Sequence, residues 1–284
     1  MAVTLESYTT VGISVGSSAT LNKPTGLAVG DTMMALLTCS IVTSSHKFTV
    51  PAGWNQEAIN SDNANSYRVQ IMTKVADSAD VAASNFSFSI SSSQIYGCAL
   101  LRLSGYGIVE GTSTATTTNT ASVTSVVATG FTPSRANDFF VIVAGGYGPT
   151  AGTTFDFNSY SIATDNPTWT EQTELSDSAQ DCVFAFATAT RTQVTATGNV
   201  TVGVNNGSSS ANSDYCIAVI AVAPSLSASS NPDPLSITSR VDVLLSPTSA
   251  EFSVNSPSYV SVRETNWTNQ TKPANSVINN QNKP

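Results

Sequence analysis

A serine and a histidine are the first side chains in this sequence whose types suggest catalysis. The run from Gly12 to Gly16 reads G-I-S-V-G and matches the G-x-S-x-G motif, in which the serine lies on a tight turn between a strand and a helix. No helical pattern follows Ser14, and the single histidine, His46, lies only 32 residues further on. We therefore reject a Ser-His-Asp triad. We predict that His46 is a solvated loop residue and that the chain is not an enzyme and has no catalytic residues.

Paired carboxylates are the next candidates. Asp31 and Asp138 precede similar apolar runs, and Glu57 and Glu171 follow similar tryptophans. Two facing acids about 5–10 Å apart would suit glycoside hydrolysis. An aspartate that recurs at the start of a strand is better explained as a turn residue, so we assign no catalytic role to these acids.

A metal site would draw on the acids of the second half, which are close together in sequence: Asp165, Glu171, Glu174, Asp177 and Asp181. They are the best metal candidates in the chain, but their spacing does not match an EF-hand calcium loop. We predict neither a metal nor a cofactor.

The four cysteines, Cys39, Cys98, Cys182 and Cys216, each lie within an apolar run, and none forms a C-x-x-C pair. A zinc site is therefore not indicated. We expect buried, reduced thiols that pack as small apolar side chains. Pairing within each half, Cys39 with Cys98 and Cys182 with Cys216, is the less favoured alternative.

Trp54 and Trp169 are the candidate ligand-binding residues, because a flat indole ring can stack on a sugar. Each follows closely after a proline and stands at the start of a predicted strand. The recurrence of the tryptophan at a similar position favours a packing role over a carbohydrate platform.

The elements that position these residues come from an internal repeat. Asp31 and Asp138 lie 107 residues apart, and Trp54 and Trp169 lie 115 residues apart. Three more landmark pairs follow the same order: Tyr67 with Cys182, Phe86 with Val200, and Cys98 with Cys216. The spacing changes only across Ser-, Gly- and Asn-rich stretches, which is how insertions in loops behave.

Strand patterns dominate the chain. Phe86 to Ile90 alternates strictly between apolar and polar residues, and Phe139 to Ala144 and Cys216 to Val222 are continuous apolar runs suited to strands buried on both faces. About eight strands are expected in the first repeat, the number in a jelly roll, and no more than one helical turn, near Asp77–Ala83. The predicted fold is all-β, with two tandem jelly-roll-like β-sandwich repeats and an extended C-terminal segment.

The predicted domains are residues 1–110, 111–224 and 225–284. The Thr-rich stretch 110–120 has a single apolar side chain, Ala115, and is expected to join the two repeats. The repeats could form two separate sandwiches or could fuse into one larger sandwich, and the strand count favours two.

Composition narrows the function. The chain of 284 residues has a net charge of −8, and only 11% of its residues are charged, against roughly 25% in typical soluble domains. We therefore predict no binding to nucleic acid, which requires clustered Lys and Arg. The N-terminus has no signal-peptide pattern, and no apolar run is long enough for a membrane helix, so we expect assembly in a cytoplasm and no membrane insertion.

The C-terminal segment contains a small repeat of its own, in which Trp267–Pro273 is followed by Ile278–Pro284. It has too few apolar residues to fold alone. We predict that it docks on another subunit through Trp267, Lys272, Pro273 and Ile278.

Three runs carry a resemblance to a known family. Val29–Leu37, Val50–Trp54 and Ala99–Gly105 resemble, in type and order, a β-sandwich found in structural proteins of tailed bacteriophages. Trp267–Pro273 is similar to short segments at the ends of phage tail and virion proteins. In the second repeat Asn137 and Thr168 stand where the first has glycine.

The resemblance implies a non-enzymatic virion protein that is attached through its C-terminal segment, with a tail or fibre position slightly favoured over head decoration. It would be located in the virion, and its expected partners are other virion proteins and copies of itself. The alternative is a carbohydrate-binding adhesin that contacts host-surface glycans.

Overall fold

The computed structural model describes residues 2–40, 46–61, 67–120, 123–147, 156–205 and 213–225. Of these residues, 69% lie in strands and 3% in a helix, and all strand pairs are antiparallel. The all-β prediction is confirmed. The C-terminal segment beyond residue 225, with Trp267, Lys272, Pro273 and Ile278, lies outside the described residues.

The first half of the chain contains five strands and one short helix. They are β1 (Thr4–Asn22), β2 (Thr32–Ser40), β3 (Asn55–Ser61), β4 (Tyr67–Val75), α1 (Ser78–Ala82) and β5 (Asn85–Ser104). Asp77 caps α1 by accepting hydrogen bonds from the backbone N–H groups of Ala79 and Asp80. The predicted helical turn is therefore confirmed.

The second half contains eight strands. They are β6 (Tyr106–Thr120), β7 (Ser125–Ala128), β8 (Asp138–Tyr147), β9 (Asp156–Ile162), β10 (Thr170–Asp177), β11 (Cys182–Arg191), β12 (Val200–Asn205) and β13 (Ser213–Pro224). The Thr-rich stretch 110–120, which we expected to join the halves, is instead part of β6 and pairs with β13. The β-branched side chain of threonine favours a strand even without an apolar pattern, and the chain passes between the halves at Gly105.

Two five-stranded sheets form the centre of the molecule. Their strand orders are β1-β5-β2-β4-β3 and β10-β11-β8-β13-β6, and the strands β7-β12-β9 form a third sheet. The orders of the two large sheets correspond when β1, β2, β3, β4 and β5 are matched with β6, β8, β10, β11 and β13. The registers correspond too, because Ser40 pairs with Tyr67 and Tyr147 pairs with Cys182, in agreement with the sequence spacings of 107 and 115.

Irregularities of the edge strands also recur. The pairing of β3 with β4 shifts between Gln56 and Ala58, and that of β10 with β11 shifts between Glu171 and Thr173. These two bulges lie 115 residues apart. The structural counterpart of Glu57 is therefore Gln172, and Glu171 corresponds to Gln56.

One predicted landmark pair is wrong by a single residue. Cys98 pairs with Leu37, and Ile217 pairs with Ala144, so the counterpart of Cys98 is Ile217 and not Cys216. A shift of one residue moves a side chain to the opposite face of a strand. Cys98 accordingly packs in the outer core of the first half, whereas Cys216 faces the other large sheet.

The large sheets pack face to face around a common apolar core. It includes Leu36 and Leu101 from the first sheet and Val143, Phe184 and Ile220 from the second. Glycines allow close approach: a Cβ on Gly97 would lie 2.6 Å from Phe184 Cβ, and one on Gly145 would lie 2.5 Å from Tyr67 Cε1. The halves therefore share one core, and the structure does not show the two unconnected sandwiches that the strand count favoured.

Each large sheet is also covered on its outer face. In the first half the ends of β1 and β5 fold over it with Phe48, which bridges to Ile90. In the second half the three-stranded sheet covers the outer face of the large sheet. Within it, Phe157 of β9 pairs with Val204 of β12. Because both faces of β8 and β13 are covered, their continuous apolar runs are explained and the prediction of doubly buried strands is confirmed.

Candidate functional site

Trp54 lies in the outer core of the first half and is 8% exposed. Phe86 and Phe88 pack edge-on against its ring, with centroid distances of 6.3 and 5.1 Å. Its backbone N–H donates to Pro51 O and closes the turn that precedes β3. This environment leaves the indole little surface for stacking on a sugar and corresponds to a packing role.

Trp169 is only partly buried, although it stands at the matching position. Its ring packs against Phe140 and lies 6.3 Å from the ring of Tyr160 at an angle of 37°. The indole Nε1–H donates to Asn166 Oδ1, which also accepts the backbone N–H of Ile162. Of the two predicted ligand-binding tryptophans, Trp169 is therefore the one that a solute can reach.

A polar pocket of about 250 Å³ is lined by Asp165, Asn166, Pro167, Thr190, Arg191, Thr192 and Gln193. Trp169 does not line it and is linked to it through the hydrogen bond to Asn166. Arg191 is 1% exposed. Its guanidinium donates to Gln193 O (3.0 Å), Thr195 O (2.8 Å) and Thr195 Oγ1 (2.8 Å). Arg191 thus holds the loop that forms the pocket rim. Arg191 is not among the predicted site residues, and its signal in the sequence is an arginine at the end of an apolar strand, before a Thr- and Gln-rich loop.

The acids that were the best metal candidates in the sequence take separate structural roles. Asp165 lies 3.6 Å from Arg191 Nη2, Glu171 accepts from Tyr160 Oη at 3.1 Å, and Asp177 accepts from the backbone N–H of Ala179. Within the ranges that the structure describes, no three His, Cys, Asp or Glu side chains come together as a metal site.

Glu174 is the most perturbed member of this acidic group. Its pKa is raised to about 7: burial is the largest cause, the backbone N–H of Phe157 opposes it, and the charges of Glu171 and Asp156 add to the increase. A carboxyl group with such a pKa can exchange protons near neutrality. Its partner at hydrogen-bond distance, however, is a backbone N–H at 2.7 Å, which ties it to β9.

Asp31 and Asp138 stand at matching positions but differ in their partners. Asp31 accepts from Arg102 Nε at 2.6 Å and from the backbone N–H of Ala28 at 2.8 Å. Asp138 is fully buried, and neither of its carboxylate oxygens has a hydrogen-bond partner among the described residues. The turn-residue interpretation therefore fits Asp31 and does not account for Asp138.

The serine and histidine candidates are not close to each other. Ser14 lies within β1 and pairs with Tyr96, so the G-x-S-x-G run forms no turn before a helix. His46 Nε2 lies 3.1 Å from Ser92 Oγ, and Gln94 Nε2 lies 3.0 Å from His46 Nδ1. Both ring nitrogens therefore lie at hydrogen-bond distance from polar side chains, and His46 is a bonded rather than a solvated residue.

All four cysteines are free and buried. Burial raises the pKa of Cys39 and of Cys182 to about 12. Since the thiolate is the reactive form, these side chains are packing residues, as the sequence predicted.

Comparison with known protein families, curated proteins and solved structures finds no match for this chain. The described part of the chain contains no helix with the length and apolar character needed to cross a lipid bilayer.

Proposed function

We propose that this chain is a non-enzymatic structural protein of a tailed-bacteriophage virion, built from two copies of one jelly-roll-like β-sandwich. The observation that carries the proposal is the shared apolar core between two sheets of matching strand order and register. Two similar sheets packed on one core form a structural module, which is the kind of unit that repeated virion proteins are built from.

Each copy would consist of a five-stranded sheet and its outer layer. The recurrence of the bulges in β3 and β10 supports the duplication, because bulges are specific features of a fold rather than accidents of composition. Phe48 and Phe157, which pair with matching residues of β5 and β12, support it as well.

The body of the protein would be attached to the particle through residues 225–284. The similarity of Trp267–Pro273 to the ends of phage tail proteins favours a tail or fibre position over head decoration. Partners would then be other virion proteins and further copies of this chain, with assembly in the host cytoplasm before the virion is released.

Peptide mapping of purified virions tests the proposal. Peptides from both halves of the chain should be present at a constant ratio to a major virion protein. A phage whose gene for this chain is truncated after residue 225 should release the chain into the lysate without incorporating it. Absence of the full-length chain from purified virions would refute the proposal, and incorporation of the truncated chain would refute attachment through the C-terminal segment.

A carbohydrate-binding adhesin is the second candidate, and the observation that favours it is the partly buried ring of Trp169, which is hydrogen-bonded to Asn166 in the lining of the polar pocket. Binding to an array of host-surface glycans should then be lost in Trp169→Ala and retained in Trp54→Phe. If the wild-type protein binds no glycan on the array, the adhesin hypothesis is wrong.

A further inference from the structure

The environment of Asp138 differs from that of every other acid described above. Its carboxylate is fully buried at the first position of β8, on the face of the sheet that packs against the three-stranded sheet. Both oxygens lack a hydrogen-bond partner among the described residues. A buried carboxylate without such partners loses its hydration and gains no hydrogen bond in exchange, which disfavours the ionised form.

The charged groups around Asp138 have other partners, although Nε of Arg191 is buried without a hydrogen-bond partner of its own. Arg191 is its cross-strand neighbour on β11, but the guanidinium donates to the loop at residues 193–195 and approaches Asp165. Arg135, in the preceding loop, lies 3.3 Å from Glu110 Oε1. Within the described ranges neither arginine comes within 4.0 Å of Asp138.

Glu110 adds a second negative charge on this side. It occupies the bulge of β6, between Val109 and Gly111, and accepts from the backbone N–H of Ser134 at 2.8 Å. The groups facing Asp138 are therefore Arg191 from β11, Glu110 from β6 and Arg135 from the loop before β8. Burial, followed by the repulsion from Glu110, raises the pKa of Asp138 to about 6, and the two arginines oppose this change.

We propose that Asp138 is a proton-binding site through which mildly acidic solution stabilises the folded protein. The inference is independent of whether the chain belongs to a virion. In the unfolded chain the carboxyl ionises with its ordinary pKa of 3.8, and in the folded protein it ionises near 6. Between these values the folded state holds a proton that the unfolded state has released, so stability is lost as the pH rises through this window.

Urea unfolding of the full chain at pH 5 and pH 8 tests the proposal. The folding constant of Asp138→Asn, divided by that of the wild type, should increase about tenfold from pH 5 to pH 8, because only the wild type loses the proton. Asp31→Asn is the matched control. It removes the ion pair with Arg102 and should reduce the folding constant at both pH values.

An equal ratio at pH 5 and pH 8 would overturn the proposal. Glu174 changes stability in the same direction, because its pKa is also raised, so the comparison is repeated in a Glu174→Gln background and should give the same tenfold change. If Asp138→Asn does not fold, infrared spectra of the Glu174→Gln variant test the protonation of Asp138, because this variant lacks the other carboxyl group with a strongly raised pKa. A protonated carboxyl band should be present at pH 5.5 and lost at pH 8, and its absence at pH 5.5 would refute the site.

Discussion

Trp54 and Trp169 occupy matching positions in the two halves, yet the first is buried and the second is partly open. The reason lies in their neighbours. Phe86 and Phe88 pack on Trp54. The matching positions of β12 are the smaller Val200 and Val202, and Trp169 packs instead against Phe140 and Tyr160. The comparison shows that the strand framework is kept while the outer layer changes, and that the outer layer decides which residues a partner can reach.

The largest expected effect is on the tryptophans. Trp54→Ala should lower the free energy of unfolding by about 3–5 kcal/mol, because it removes a buried aromatic side chain and leaves a cavity. Trp169→Ala should lower the free energy of unfolding by about half of that amount, because its ring is less buried. Urea denaturation of the two variants measures both values. Equal losses would contradict the difference in packing.

The shared core gives the next largest effect. Gly97→Ala should destabilise the protein by about 2 kcal/mol, because the new methyl group would overlap Phe184 across the two large sheets. Gly12→Ala is the control, as a Cβ at Gly12 meets no atom within 4 Å. A Gly97→Ala variant as stable as the Gly12→Ala variant would show that the sheets are not in close contact at this point.

A smaller effect concerns the turns before β2 and β8. Gly30 has a φ of 92° and the matching Asn137 a φ of 64°, both in the left-handed region that asparagine tolerates better than other non-glycine residues. Gly30→Ala should lower the free energy of unfolding by about 1 kcal/mol, and Gly30→Asn should lower it by less than half of that. Thermal unfolding of the two variants measures the difference. Equal losses of stability in the two variants would mean that the turns before β2 and β8 are not equivalent.

Much of the framework could be predicted from sequence. The spacings of 107 and 115 matched the strand registers because apolar runs in β2, β4, β8 and β11 are long and fix the pairing. The assignment of Cys98 to Cys216 failed by one residue because β13 is apolar on both faces, so its sequence pattern does not distinguish one face from the other. Because β13 is apolar on both faces, its sequence predicted that both faces are covered, but it did not predict which elements cover them.

The candidate sites were less predictable. The burial and the hydrogen-bond partners of single residues such as Arg191 and Asp138 depend on strands that pair across long stretches of sequence. Asp138 was recognised as the counterpart of Asp31, but the arginine that pairs with Asp31 comes from β5, and the matching residue of β13 is Ala221. The loss of that partner is visible only once the register is known.

Scanning calorimetry of the full chain tests the central claim, that the two halves share one core, most directly. If they unfold together, one transition should be seen for the body, with a van't Hoff enthalpy equal to the calorimetric enthalpy. Gly97→Ala should move the whole transition to lower temperature. Two separate transitions, only one of which moves in Gly97→Ala, would contradict the shared core and show that the halves are independent domains.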